Sequence, residues 1–112
     1  MKTLIQATIL LASIALAGGA SADDAATLKV YKAQCATCHD LDGKGHTTAG
    51  KKLNVKDWGD GKTLNKMTDA DVDKWIHVGK NGDDGKELMP AFAKLGDDKI
   101  KALVAYIRAF QK

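Results

Sequence analysis

Two cysteines and a histidine stand close together in the segment Cys35-Ala36-Thr37-Cys38-His39. On a helix, positions i, i+3 and i+4 lie on one face, so these three side chains point the same way. Two such thiols can add to the two vinyl groups along one edge of a porphyrin, and a neutral imidazole is a good iron ligand. The spacing therefore predicts covalent attachment of haem c through Cys35 and Cys38, with His39 as an axial ligand of the iron.

Three other chemistries of a cysteine pair remain as weaker interpretations. A thioredoxin-type redox pair needs a βαβ setting, and the sequence shows no strand pattern. A structural zinc site needs about four ligands, and His46 and His77 stand at spacings that match no zinc pattern. A disulfide across two intervening residues closes a very short loop and stabilises little.

A second axial ligand of the iron is predicted at Met89, within the apolar segment Leu88-Met89-Pro90-Ala91-Phe92. Pro90 disfavours helix at Met89, and a methionine on an extended loop can present its sulfur across a haem. An ordinary core methionine is the alternative interpretation. Histidine–methionine ligation favours ferrous iron and fills both faces of the haem, which indicates outer-sphere electron transfer and no open catalytic site.

The rival ligands are His77, His46 and Met67. His77 lies about 150° around its helix from the apolar stripe, so it is expected to face solvent. His46 stands in a glycine-rich loop only seven residues after His39, which favours a surface position. Met67 just precedes a predicted helix and is assigned to the core.

The first 22 residues have the pattern of a secretory signal peptide. Lys2 is followed by an apolar stretch at 4–17, and Ala20-Ser21-Ala22 is a small-x-small cleavage site. The alternative is an uncleaved anchor, but about 14 apolar residues fall short of the roughly 20 that span a bilayer. We therefore expect cleavage after Ala22, export to the periplasm, and one domain at residues 23–112.

Charge and size bound the function further. The chain has 17 Lys and Arg against 14 Asp and Glu, and removal of Lys2 with the signal peptide leaves a net charge of +2, too weak to indicate nucleic-acid binding. The mature 90 residues would form a small core that often depends on a cofactor. A mild basic bias in the middle of the chain is interpreted as a solvated face; its residues are Lys51, Lys52, Lys56, Lys62 and Lys66.

The remaining pattern predicts helices joined by loops. The first helix is expected over 25–38, with Leu28 and Tyr31 on the same stripe as the cysteines. Further helices are predicted at 49–53, between the N-cap Thr68 and Gly79, and from the N-cap Asp97 to about residue 110, with a polar loop at 80–86. The apolar stripes of the last two long helices are Val72, Trp75 and Ile76, and then Ile100, Leu103, Val104 and Ile107.

Taken together, the attachment segment at 35–39, the segment at 89–92 and a last helix carrying Tyr106 resemble class I c-type cytochromes of the small bacterial single-haem type, near cytochromes c6, c5 and c553. The resemblance implies an all-α cytochrome c fold of three to four main helices, whose first and last helices cross near Tyr31 and Tyr106. It implies one haem, with His39 and Met89 as axial ligands, and a backbone carbonyl that accepts the His39 N–H. Such proteins often have a proline near this carbonyl where this chain has Thr48, so the sequence leaves open which carbonyl orients His39.

The same resemblance implies an electron carrier and not an enzyme. Its partners would be donor and acceptor redox proteins, and the chain is expected to be a monomer without stable membrane insertion after signal cleavage. A dedicated subunit of one oxidoreductase is the alternative function. An enzyme or gas sensor with an open haem is a further alternative, and it would require Met89 not to bind.

Overall fold

The structure is a computed structural model that describes residues 25–111. The predicted signal peptide at 1–22 therefore lies outside the described residues. Within 25–111, five α-helices surround a small core, with one short hairpin and three 3₁₀ turns. The helices are α1 (Ala25–Gln34), α2 (Ala36–His39), α3 (Thr48–Lys52), α4 (Asp69–Val78) and α5 (Asp97–Arg108). The strands are β1 (Lys80–Asn81) and β2 (Glu87–Met89), and the 3₁₀ turns are Trp58–Asp60, Leu64–Lys66 and Ala93–Leu95.

The predicted first helix is divided at Cys35 into α1 and α2. The backbone stays close to helical there, because the N–H of Cys35 donates to the Tyr31 carbonyl at 2.8 Å and the N–H of His39 donates to the Cys35 carbonyl at 2.9 Å. The predicted stripe is wrong at Leu28, which is half-buried and outside the core. Thr27 and Tyr31, one helical turn apart, are the buried residues of α1, which packs against α5.

Helix α4 begins and ends where its sequence predicts. The Thr68 hydroxyl accepts from the N–H of Asp71, the Asp71 carboxylate accepts from the N–H of Thr68, and Gly79 ends the helix with a positive φ of 68°. Val72 and Ile76 are buried as expected, whereas Trp75 is 41% exposed and lies on the wall of the cleft described below.

Two local predictions need correction, one in the segment after Gly79 and one at α3. The segment after Gly79 contains a small antiparallel hairpin, with Lys80 opposite Met89, where only a loop was expected. Its strands have only two and three residues, which is too short for a periodic pattern to appear. Helix α3 runs over Thr48–Lys52, one residue earlier than predicted, because the Thr47 hydroxyl accepts from the N–H of Gly50 and forms the N-cap.

Helix α5 closes the core. Its predicted stripe is confirmed, since Ile100, Leu103, Val104 and Ile107 are all buried. The predicted N-cap is wrong by one residue: Gly96 holds that position, with a φ of 87°, and Asp97 is the first helical residue. The rings of Tyr31 and Tyr106 meet at a centroid distance of 4.8 Å, which places α1 against α5 as the resemblance implied.

The all-α fold class is thus confirmed, since the strands contribute five residues in total. None of the helices in the described part of the chain is long and apolar enough to cross a membrane.

Candidate haem site

An open, mostly apolar cleft lies between the attachment segment and the end of β2. Cys35, Cys38 and His39 line one part of it, and Met89 and Pro90 line another. The other walls are mainly aliphatic and aromatic side chains from α4, α5, β2 with the segment after it, and the connections before α4. They include Leu53, Val55, Trp58, Leu64, Met67, Val72, Trp75, Ile76, Leu88, Phe92 and Ile107. The polar residues of these walls are Gln34, Asn54, Lys56, Thr63 and Lys80. The cleft therefore brings together both predicted axial ligands and both predicted attachment residues.

His39 presents a neutral imidazole to this cleft. Burial lowers the pKa of His39 to about 4, so the ring carries no proton to compete with a metal at neutral pH. Its Nδ1 atom is buried and has no hydrogen-bond partner among the described residues. The carbonyl acceptor that the resemblance implies for His39 is therefore not identified among these residues. The ring instead stacks on Trp58, with centroids 4.0 Å apart and planes 14° from parallel.

The two cysteines are half-buried and not bonded to each other. Burial, and then the neighbouring Cys38, raise the pKa of Cys35 to about 11. A thiol–disulfide redox pair works through a lowered thiol pKa, so this environment argues against the thioredoxin-type interpretation. The zinc interpretation also loses support, since no three metal-binding side chains cluster anywhere in residues 25–111.

Short contacts hold the backbone of the attachment segment in place. The N–H of Gly45 donates to the His39 carbonyl at 3.0 Å, and the Thr47 hydroxyl donates to the Cys38 carbonyl at 3.3 Å. Gly50 packs so closely that a Cβ atom there would overlap the carbonyl oxygens of Cys38 and Gly45. The loop after His39 therefore packs closely against the backbone of the motif.

The Tyr31 hydroxyl adds a contact at the end of α2. It donates to the Asp40 carbonyl at 2.6 Å, where Asp40 has an unusual φ of 64°. Burial raises the pKa of Tyr31 well above its ordinary value, so the hydroxyl stays protonated and keeps donating.

Met89 is the last residue of β2 and is half-buried. Its backbone carbonyl lies against Gly79, where a Cβ atom would overlap it. Three residues later, the N–H of Phe92 donates to the Ile76 carbonyl at 2.8 Å. Contacts on both sides of Met89 thus fix this segment against the end of α4.

The rival ligands are placed differently from one another. His46 is exposed, and His77 points to Asp73 and Asp97 and is not part of the cleft wall. Met67 does line the cleft, although its sequence position suggested only a core role. Met67 is therefore the natural comparison for any test of Met89.

Sequence reasoning missed two residues that contact the site: Trp58, which stacks on His39, and Arg108, which binds residues of the cleft wall. Arg108 donates from Nε to Asp69 at 2.8 Å, from one terminal nitrogen to the Leu64 carbonyl at 2.6 Å, and from the other to the Met67 carbonyl. It thereby joins α5 to two residues of the cleft wall. Arg108 is the only arginine in the chain, which is a signal that sequence reasoning passed over.

These residues fit a haem. The fit depends on a mostly apolar cleft, a buried neutral imidazole, two cysteines in the Cys-x-x-Cys-His arrangement of haem attachment, and a thioether. A haem in this cleft would be held by Cys35, Cys38, His39 and Met89, which all line it.

The sequence matches the protein family described as "Cytochrome C oxidase, cbb3-type, subunit III" over residues 22–107. It is 34% identical to cytochrome c-553 of Helicobacter pylori over 108 residues, which cover 96% of each chain. It is 33% identical to cytochrome c6 of Anabaena variabilis over 92 residues, which cover 77% of this chain and 90% of that protein.

A solved structure gives the same result. The KustC0563 c-type cytochrome superimposes with a TM-score of 0.67 and 32% identity, covering 77% of this chain and 98% of its own. The fold is therefore the cytochrome c fold. With the cleft and its thiols, imidazole and thioether, these matches show that the chain belongs to the c-type cytochromes, as a small single-haem electron carrier with covalently bound haem c.

Proposed function

We propose that this cytochrome is exported and carries single electrons between redox proteins in the periplasm. Residues 1–22 would be its cleaved signal peptide, and residues 23–112 its mature, monomeric domain. Cys35 and Cys38 would hold the haem through thioether bonds, and His39 and Met89 would be the axial ligands of its iron. The observation that carries the proposal is that all four side chains line one apolar cleft.

The bound haem supplies an iron that accepts and releases one electron. His39 and Met89 would fill both axial positions, so no position is left for a substrate and the electron leaves by outer-sphere transfer. The neutral state of His39 favours ligation over the whole neutral range, because burial keeps its pKa at about 4. The apolar walls would limit the access of water to the iron and lower the local dielectric constant, and both effects help to set the reduction potential.

A dedicated subunit of one oxidoreductase is the second candidate. The description of the matching family, subunit III of a cbb3-type cytochrome c oxidase, is the observation that favours it. The two relatives are named as individual cytochromes, and the match to cytochrome c-553 covers 96% of that protein. This favours an electron carrier that is not a subunit of a larger enzyme. A stoichiometric complex that co-purifies with the chain from its native membrane or periplasm would favour the subunit.

Expression of the full chain in a host with a haem-attachment system tests the proposal. The expected product is a coloured periplasmic protein that begins at Asp23. In its oxidised form it should show the thioether-to-iron charge-transfer band at the red end of the visible spectrum. A product retained in the cytoplasm with an intact N-terminus would overturn export. An oxidised haem protein without that band, whose reduced form binds carbon monoxide tightly, would overturn ligation by Met89.

A further inference from the structure

We propose that Trp58 is a positioning residue for the axial histidine: its indole ring, stacked on the His39 imidazole, sets the plane in which the imidazole meets the iron. This inference rests on the proposed function only in taking His39 as an iron ligand.

The stack leaves the binding atoms of His39 free. The two rings are nearly parallel, at 14°, and their centroids are 4.0 Å apart, so the indole covers one face of the imidazole. The nitrogen lone pair of a neutral imidazole lies in the plane of its ring and points outward from the edge. An iron bound at that edge does not compete with an aromatic ring on the face. Trp58 can therefore restrict rotation of the imidazole without blocking its ligand atom.

Packing takes the place that a hydrogen bond usually holds. A metal-binding histidine commonly donates its second N–H to a carbonyl or carboxylate, and this bond fixes the ring orientation. In residues 25–111, the buried Nδ1 atom of His39 meets no such acceptor. The imidazole does contact the indole of Trp58 face to face. This stack is therefore the contact that we assign to fixing the orientation of the imidazole.

Trp58 is itself held firmly enough to act as a reference plane. The backbone N–H of Trp58 donates to the Gly43 carbonyl at 2.9 Å. Trp58 also begins a 3₁₀ turn, whose N-cap residue Asp57 accepts through its carboxylate from the backbone N–H of Gly59 at 2.7 Å. Phe110 stacks near its ring at a centroid distance of 6.1 Å and 25°. Phe110 in turn lies against Gly43, where a Cβ atom would approach the phenyl ring to 2.8 Å. Residues distant in sequence therefore fix the indole.

The plane of the axial imidazole can be followed by proton NMR of the haem. In oxidised low-spin haem with histidine and methionine ligands, the imidazole plane and the orientation of the thioether together determine how unpaired spin is distributed over the porphyrin, and hence the order of the haem methyl resonances. A changed order, with the nuclear Overhauser contacts between the Met89 methyl group and the haem unchanged in the reduced protein, therefore reports a change in the imidazole plane.

The experiment uses the haem-loaded, oxidised protein and three variants. Trp58→Leu removes the aromatic face, Trp58→Phe keeps a ring that can stack, and Ile100→Val is a packing control, since Ile100 is buried in the core and does not line the cleft. We expect Trp58→Leu to change the order of the haem methyl resonances. Trp58→Phe and Ile100→Val should keep the wild-type order. A wild-type order in Trp58→Leu, or an equal change in Ile100→Val, would overturn the proposal.

The wild-type protein gives a second test that needs no variant. In the reduced, diamagnetic holoprotein, protons of the Trp58 indole and of the His39 ring should show nuclear Overhauser effects, since the rings are in contact. Absence of these effects, with both rings assigned, would overturn the proposal. Either test can fail while the charge-transfer band of Met89 is intact, so this inference and the proposed ligand pair fail separately.

Discussion

The Nε2 atom of His77, near the end of α4, lies 3.1 Å from a carboxylate oxygen of Asp97 at the start of α5. These two residues flank the segment 79–96, which carries Met89. The other ring nitrogen, Nδ1, meets the backbone carbonyl of Asp73 at 3.0 Å, and the Asp73 carboxylate lies at the same distance. Carbonyl and carboxylate oxygens only accept here, so both ring nitrogens donate at once only when the imidazole is protonated.

This pair predicts a pH-dependent part of the stability. The Asp73 carbonyl, and then the Asp97 carboxylate, raise the pKa of His77 above its ordinary 6.5. Folding therefore favours the protonated ring, and its stabilisation is fully present below the unfolded-state pKa. The stabilisation is lost as the pH rises through the raised folded-state value. In urea unfolding of the holoprotein, the free energy of unfolding should fall as the pH rises from below 6.5 through the raised pKa of His77. This fall should be smaller in His77→Asn.

A matched control for that experiment is His46→Asn. His46 is exposed and forms no ion pair among the described residues, so this variant should keep the wild-type pH profile. An unchanged profile in His77→Asn would contradict the assignment of the decline to His77.

Arg108 should contribute more to stability than its ion pair with Asp69. The carboxylate is 77% exposed, so the pair itself is worth less than about 1 kcal/mol. Replacement by methionine also removes the donors to the Leu64 and Met67 carbonyls. The Leu64 carbonyl still accepts from the backbone N–H of Met67 at 3.1 Å, so the larger cost is expected at the half-buried Met67 carbonyl, where an acceptor left unpaired costs roughly 1–3 kcal/mol. In denaturant unfolding, Arg108→Met should therefore lower the free energy of unfolding clearly more than Asp69→Asn does. Equal losses in the two variants would show that the carbonyl contacts contribute nothing.

Met89→Ala should open the iron while the haem stays attached. The thioether favours ferrous iron, so its loss should lower the reduction potential and remove the charge-transfer band. Met67→Ala, which removes the other thioether of the same cleft, should keep both properties near their wild-type values. An optical redox titration of the two variants measures both. If the band disappears in Met67→Ala and survives in Met89→Ala, the ligand assignment is reversed.

Gly50→Ala should destabilise the protein, although alanine favours helix over glycine by up to about 1 kcal/mol. Gly50 lies in α3, and its added methyl group would overlap the carbonyl oxygens of Cys38 and Gly45. Overpacking of this kind typically costs about 1–3 kcal/mol, so the steric cost outweighs the gain in helix propensity. Thermal unfolding should give a lower Tm for Gly50→Ala, and little change for the exposed neighbour Lys51→Ala. A Tm at or above wild type would mean that the motif backbone can move aside.

Local sequence signals predicted the local parts of this molecule well. Thr68 and Gly79 bound α4 because caps act on neighbouring backbone groups, and the stripe from Ile100 to Ile107 is buried because its spacing matches one helix face. The attachment segment could be recognised because its chemistry lies within five residues. Met89 could be singled out only after a haem had been inferred.

What the sequence did not reveal depends on contacts between distant residues. The stack of Trp58 on His39 and the bonds from Arg108 to Leu64 join positions 19 and 44 residues apart, and no local pattern encodes them. Thr27 is buried in place of Leu28 because α5 covers that side of α1, and this could not be read from α1 alone.

The most direct test of the central claim is the mass and colour of the mature protein after extraction with acidified organic solvent, which removes haem that is not covalently bound. The account predicts that the colour stays with the chain and that its mass exceeds that of the polypeptide by one haem. The added mass should map to the peptide that contains Cys35 and Cys38. A colourless chain of unmodified mass, with both thiols free or joined to each other, would contradict it.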